Sequence, residues 1–283
     1  MTTQDTNYTF TFSGKVLNFS KPVVMGILNV TPDSFFDGGR YLREKDWLGQ
    51  TEKMLAEGAS IIDIGACSTR PGSLDIGEEE ELKRLLPVVK SVRTRFPGIV
   101  ISIDTFRSAT ARKAIEIGGD LINDISGGNY DENMISTVSD LKTTYVLMHT
   151  QGAPATMQTN PIYADVVEDV SLFFVRQIKK LLESGVRQFI LDPGFGFGKT
   201  MDHNFKLLHA LPQFITLGYP LMAGLSRKSM INRVLDVKAA ASLNGTSALN
   251  TIALLNGASL LRVHDVKEAM ECIKLVEKYE SVS

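Results

Sequence analysis

Apolar positions in this chain fall into two alternating kinds of run. Short, largely apolar runs of three to six residues, such as Val23–Leu28, Ile61–Ile64, Ile99–Ile103, Thr144–Met148 and Phe189–Leu191, read as strands buried on both faces, as in a parallel sheet. Longer runs with a helical repeat lie between them. The clearest is Val166, Val170, Phe173/Phe174, Ile178 and Leu181/Leu182, one apolar stripe at a spacing of three to four. Others are expected over Lys45–Glu57, closed by Gly58, and from Glu78, where four acidic residues suit the positive end of a helix dipole and Pro87 predicts a kink. A third runs to Ile117 and a last over Val266–Tyr279. Shorter strands are expected at Leu121–Ile122, Pro220–Ala223 and Ser259–Val263. Ahead of this series, Thr9–Phe12 and Val16–Phe19 alternate around Ser13-Gly14-Lys15, the pattern of a hairpin placed to plug one end of a barrel.

The alternation gives eight strand–helix units with no linker or low-complexity break. Alternating β and α means parallel pairing through crossovers, and eight units in about 250 residues fit a (β/α)8 TIM barrel with an N-terminal β-hairpin better than an open doubly wound sheet. The expected organisation is one domain over 1–283, with tail and hairpin in 1–20. In such a barrel the active site lies where the strands end.

Composition narrows the partners. The 283 residues are 43% hydrophobic and 22% charged with net charge −2, which leaves no electrostatic footprint for nucleic acid or a membrane surface. No apolar stretch approaches the ~20 residues that span a bilayer. Met1–Tyr8 is polar, unlike a secretory signal, and two cysteines without metal-type spacing suit a reducing compartment, so a cytoplasmic location is expected.

Two motif look-alikes fail. Gly198-Lys199-Thr200 resembles the end of a phosphate loop, but its first glycine would be Pro193; Gly194-x-Gly196-x-Gly198 misses the dinucleotide spacing by one position. The informative polar residues stand at strand ends. Asp104, Asn123 and Asp192 end strands and Lys228 follows one, so a barrel brings them around one pocket. Alone, each Asp or Asn reads equally as a turn or helix cap. Together they suit a ligand rich in N–H donors and ring acceptors, such as a fused heterocycle.

A second cluster joins Asn29, Arg262, His264 and the Ser226–Ser229 turn, from strands that neighbour each other in a closed barrel. That is the usual phosphate position of this fold, although a structural network with Asp265 is the alternative. Asn29 offers a neutral oxygen for Mg²⁺ held mainly by phosphate and water. Cys272 reads as core, Cys67 as an exposed loop residue, and Lys15 as part of a solvated face. His209 reads as a structural helix residue and His203 as one just ahead of that helix, while His149 at the mouth stays open.

With these residues in hand, the chain resembles the dihydropteroate synthase family. The matching motifs are Met25-Gly-Ile-Leu-Asn-Val-Thr-Pro-Asp-Ser-Phe-Phe-Asp-Gly-Gly39, Ser68-Thr-Arg-Pro-Gly72, Ser102-Ile-Asp-Thr105, Ile122-Asn-Asp-Ile125, Leu191-Asp-Pro-Gly-Phe-Gly-Phe-Gly-Lys199, Ser226-Arg-Lys-Ser229 and Arg262-Val-His-Asp-Val266. They cover residues 25 to 266 in the family's order. The resemblance implies a transferase in which 4-aminobenzoate displaces pyrophosphate from 6-hydroxymethyl-7,8-dihydropterin diphosphate by a dissociative route, with small-molecule substrates only, a homodimer, and sulfonamides competing for the aminobenzoate site. It places the pterin on Asp104, Asn123, Asp192 and Lys228, and the diphosphate with Mg²⁺ on Asn29, Arg262 and His264. It implies an aminobenzoate site from Ser34, Phe35, Thr69, Arg70 and Pro71, lined also by Phe197 and Ser229. Asp104, Asp192, Lys228 and Arg262 are the catalytic set under that reading. One departure stands out: Ala66-Cys67 precede Ser68 where the family commonly has Gly-Glu. A folate-dependent methyltransferase on a similar barrel is the runner-up; it would not need the Thr31–Phe35 or Ser68–Pro71 motifs.

Overall fold

The structure, a computed structural model, describes residues 8–12, 14–30, 44–67, 75–152, 157 and 161–282. Strands β1 (Thr9–Phe12) and β2 (Lys15–Asn18) form an antiparallel hairpin. Strands β3 (Val23–Asn29), β4 (Ile61–Gly65), β5 (Val100–Asp104), β6 (Leu121–Asp124), β7 (Thr144–Met148), β8 (Phe189–Asp192), β9 (Met222–Ala223) and β10 (Leu260–Val263) then pair in parallel in the order β8-β7-β6-β5-β4-β3-β10-β9. A parallel bridge between Leu191 and Leu221, with the Leu191 amide 2.9 Å from the Pro220 carbonyl, brings β8 against β9 and closes the ring.

Around it run α1 (Glu44–Ala56), α2 (Gly77–Arg95), α3 (Ser108–Glu116), α4 (Met134–Leu141), α5 (Val166–Glu183), α6 (Met201–His209), α7 (Leu211–Ile215), α8 (Ser229–Leu235), α9 (Leu243–Leu255) and α10 (Val266–Glu280). The outward side chains of the strands and the inward stripes of the helices make one continuous core. That burial on both faces is why the strands read as unbroken apolar runs. The eighteen-residue α5 buries Val166, Val170, Phe173, Phe174 and Leu181 as its spacing predicts, with Gln177 among them and Leu182 at the exposed margin. Asp165 starts it, its carboxylate accepting the amides of Val167 and Glu168 at 2.8 and 3.1 Å. The helix α2 runs continuously through Pro87, and it was α4, α8 and α9 that the periodicity alone did not separate from loops.

Inside the ring the side chains form layers. Met25, Ile61, Val100, Leu121, Val146, Ile190, Met222 and Leu260, one from each strand, form a second apolar cluster with Phe10, Phe12 and Phe19 of the hairpin segment. The hairpin therefore plugs the N-terminal end of the barrel. Lys15, expected on a solvated face, instead reaches the Asp120 carboxylate at 2.6 and 2.8 Å with its side chain 19% exposed, and Arg93 pairs with the same carboxylate. A lysine in a hairpin turn becomes a clamp only when the turn lands on a buried acid, which the local sequence does not reveal. No helix among the described residues is long and apolar enough to cross a membrane.

Candidate active site

Because strand side chains alternate, the positions two residues beyond the apolar layer also face inward. Here the lining changes from apolar to polar: Asp63, Ser102, Asn123, Asp192 and Arg262 occupy that level. Arg262 holds its Nε 2.6 Å from Asp63 Oδ2 and its Nη2 2.6 Å from both Asp63 Oδ2 and Asp104 Oδ2. Asn123 donates from Nδ2 to the same Asp63 oxygen at 3.1 Å. Burial pushes the Asp104 carboxyl up to about 7; the Arg262 guanidinium pulls against that rise and the Asp63 charge adds to it. Arg262 is held cationic by Asp63 and Asp104 against its own burial.

Asp192 ends β8 and turns one oxygen onto the Gly194 amide at 2.7 Å. The loop that follows lies tight against the tip of β7. A Cβ on Gly194 (φ +71°) would stand 1.9 Å from the His149 carbonyl, and one on Gly198 (φ +61°) 2.3 Å from that of Gln151, so both positions require glycine. Lys199 fastens this loop. Its buried Nζ lies 3.0 Å from the carbonyls of Gly194 and Phe197, 3.2 Å from that of His149 and 2.9 Å from His149 Nδ1. His149 thereby serves as a neutral acceptor, its pKa pushed down to about 2 by burial and by the Lys199 charge. Its ring also packs edge-on against Phe173 at 4.9 Å.

From the opposite side Lys228, just before α8, donates to the Phe195 carbonyl and sits 4.7 Å from the Phe197 ring centroid. Burial lowers Lys228 to about 8, opposed by Asp192; the same burial raises Asp192, opposed by Lys228. The pocket thus sets carboxylates and an amide carbonyl, which accept from N–H groups, opposite two cations and the Phe197 ring. That suits a flat, polar heterocycle.

Towards the mouth, Ser226 Oγ lies 3.0 Å from His264 Nδ1 and accepts the His264 amide at 3.3 Å. Arg227 (φ +58°) folds back on Asp265, with Nη2 to Oδ1 at 2.6 Å, so this turn arginine belongs to the framework. Asn29 ends β3 half-buried, on the inward parity of Met25, and Ser229 is exposed at the start of α8. Among the described residues no group of His, Cys, Asp or Glu side chains could hold a metal ion alone. One amide oxygen at Asn29 fits a hard cation that brings most of its ligands with a phosphate.

The structure brings together Asp104, Asn123, Asp192, Lys228, Phe197 and Arg262. It also joins the two clusters that the sequence separates, because Arg262 reaches down to Asp63 and Asp104. Ser34, Phe35, Thr69, Arg70 and Pro71 lie outside the described residues. His203, expected ahead of its helix, is its third residue and makes a reciprocal cap with Thr200. Cys67 is half-buried, its thiol pushed up by burial and by Glu81. Glu81 itself, read as one of a run of dipole-facing acids, is fully buried and paired with Arg107.

Two residues escaped the sequence reading. Asp63 sits mid-strand between Ile62 and Ile64; a lone carboxylate in a doubly buried strand was the available signal. Lys199 falls within the failed phosphate-loop pattern, and its role appears only where three carbonyls and His149 Nδ1 close around it.

The family model for pterin binding enzymes matches residues 25–264. The dihydropteroate synthase of Haemophilus influenzae is 46% identical over 265 residues, covering 93% of this chain and 96% of that protein. Among solved structures, the Yersinia pestis dihydropteroate synthase in a sulfonamide drug complex superposes with a TM-score of 0.92 at 40% identity, over 97% of this chain and all of that one. The Xanthomonas albilineans dihydropteroate synthase in complex with 7,8-dihydropteroate does so with a TM-score of 0.88 at 34% identity, over 98% of this chain and all of that one.

Proposed function

The chain belongs to the dihydropteroate synthase family of pterin-binding transferases, and from that premise we propose how its pocket joins 6-hydroxymethyl-7,8-dihydropterin diphosphate to 4-aminobenzoate. The observation that carries the reading is the pairing of Asp104 with Arg262 and of Asp192 with Lys228, beside Asn123, inside one barrel mouth. Asp104 and Asp192 accept the ring N–H groups, Asn123 presents its carbonyl, and Lys228 binds a ring acceptor. The aromatic amine approaches over Phe197, with Ser229, Ser34, Phe35, Thr69, Arg70 and Pro71 completing its site.

The reaction breaks the bond between the pterin methylene carbon and the diphosphate oxygen, and both electrons leave with pyrophosphate. Arg262 and His264 face that growing negative charge, while the carboxylates favour the positive charge spreading into the pterin ring. The amine nitrogen then bonds the methylene carbon and releases a proton. No strong general base is needed, since the arylamine attacks a carbon already electron-poor. Mg²⁺, with Asn29 as its protein ligand, would supply charge neutralisation on the diphosphate.

Pyrophosphate release measured with both substrates tests the activity; absence of product in the folded protein would exclude it. Sulfonamides should inhibit and excess 4-aminobenzoate should relieve that inhibition. A homodimer is supported by apolar side chains left exposed on neighbouring α8 and α9, Leu235 (48%) and Leu255 (48%), and sedimentation equilibrium decides it.

A further inference from the structure

Asp63 is fully buried in the middle of β4, level with Ser102 and Asn123 on the floor of the pocket. Its Oδ2 accepts Arg262 Nε at 2.6 Å and Asn123 Nδ2 at 3.1 Å, and Arg262 Nη2 lies 2.6 Å away. Its Oδ1 makes no hydrogen bond, nor does Asn123 Oδ1. An ion pair this deep recovers little more than its desolvation cost, so stability is a weak reason for placing a carboxylate here. What the geometry does instead is fix the orientation of two neighbours. With Nε on Asp63, the guanidinium offers Asp104 only the outer arm it already shares. With Nδ2 committed to Asp63, the Asn123 amide keeps its carbonyl oxygen buried and without a partner, an acceptor left for a ligand.

Resting on the functional reading above, we propose that Asp63 is a positioning residue that limits Arg262 to one arm on Asp104 and sets the amide of Asn123, so that Asp104 and Asn123 both present acceptors to the pterin. Without that anchor, Arg262 closes on Asp104 with both arms. The carboxylate is then occupied, and the Asn123 amide is free to turn its donors inward.

The test compares the wild-type enzyme with Asp63→Asn, which keeps the shape and removes the charge. Wild-type turnover is recorded first; no product there would sink the functional reading, and calorimetry with an unreactive pterin analogue would still read the role of Asp63. The variant should raise KM for the dihydropterin diphosphate about tenfold or more, while KM for 4-aminobenzoate stays within about twofold. It should also move the acid limb of kcat/KM to lower pH. The charged groups facing Asp104 are Arg262 from β10, Asp63 from β4, Glu81 from α2 and Asp124 from β6. Only the like charge of Asp63 is removed, and Arg262 gains a fuller hold on Asp104; both changes favour its ionised form. A merely structural role would raise both KM values together and leave the limb in place, and that result overturns the proposal. So would an unchanged KM for the pterin in folded protein. Should the variant not fold, the wild type decides by NMR. The Arg262 Nε–H must stay protected from exchange when the analogue binds, and its loss on binding would equally refute the assignment.

Discussion

Arg262 and Asp104, 158 residues apart in the chain, share an ion pair of 2.6 Å at the strand ends of the barrel. That contact ties the side of the pocket that faces the diphosphate to the side that faces the pterin. The two sub-sites therefore share a residue, and mutations at Arg262 should be felt in both.

Arg262→Ala should weaken free pyrophosphate and a pterin analogue alike, because Asp63 and Asp104 lose their cation together. Breaking a buried pair from one side costs about 3–5 kcal/mol, here eased by the readiness of Asp104 to take up a proton. Denaturant titration and calorimetry check this. Retained pterin affinity alongside lost pyrophosphate binding would mean two independent sub-sites.

Pterin binding should depend on pH with an acid limb near 7 and an alkaline limb near 8, following Asp104 and Lys228 in the free enzyme. The acid sign follows from a carboxyl raised by burial: below about 7 it holds a proton and cannot accept a ring N–H. The alkaline sign follows from an ammonium lowered by burial: above about 8 it loses the charge. Asp104→Asn should abolish the acid limb while lowering affinity. A kcat/KM profile flat from pH 6 to 7 in the wild type, as a rough span, would contradict the assignment of Asp104.

Asp192→Asn should cost pterin affinity about 1–3 kcal/mol, the loss for a buried polar group left unmatched. The fold should survive, because the amide oxygen still accepts the Gly194 N–H that Asp192 accepts at 2.7 Å. Calorimetry with a pterin analogue measures it; undiminished affinity would reduce Asp192 to a turn cap.

Lys199→Met removes the shared donor of three carbonyls and His149. We expect a stability loss of about 1–3 kcal/mol and a rise in KM for 4-aminobenzoate, since Phe197 rides on the loop Lys199 fastens. A variant as stable as wild type with unchanged kinetics would show that the glycines alone hold the loop.

Lys15→Ala should lower stability by about 1 kcal/mol or more, with kcat/KM within about twofold, because the hairpin sits at the end of the barrel away from the chemistry. Asp120→Ala should cost more, since Lys15, Arg93 and the Ile101 amide all lose one acceptor. Thermal unfolding ranks the two.

By itself the sequence determines the order of elements and the end of the barrel that carries the site. Doubly buried strands must be continuous apolar runs, so a polar residue such as Asp104, Asn123 or Asp192 at the close of a run announces the mouth. Those are local consequences of the chain's own period, and they are legible residue by residue. What each polar group does is decided only when strands far apart in sequence are brought side by side. Nothing near Asp63 in the chain says that Arg262, 199 residues on, will share its oxygen. Nothing near Lys15 foretells Asp120, and nothing near Lys199 announces the four acceptors that close around it. The energy of a buried charge depends on its partners in space, and closure of the barrel is what supplies them.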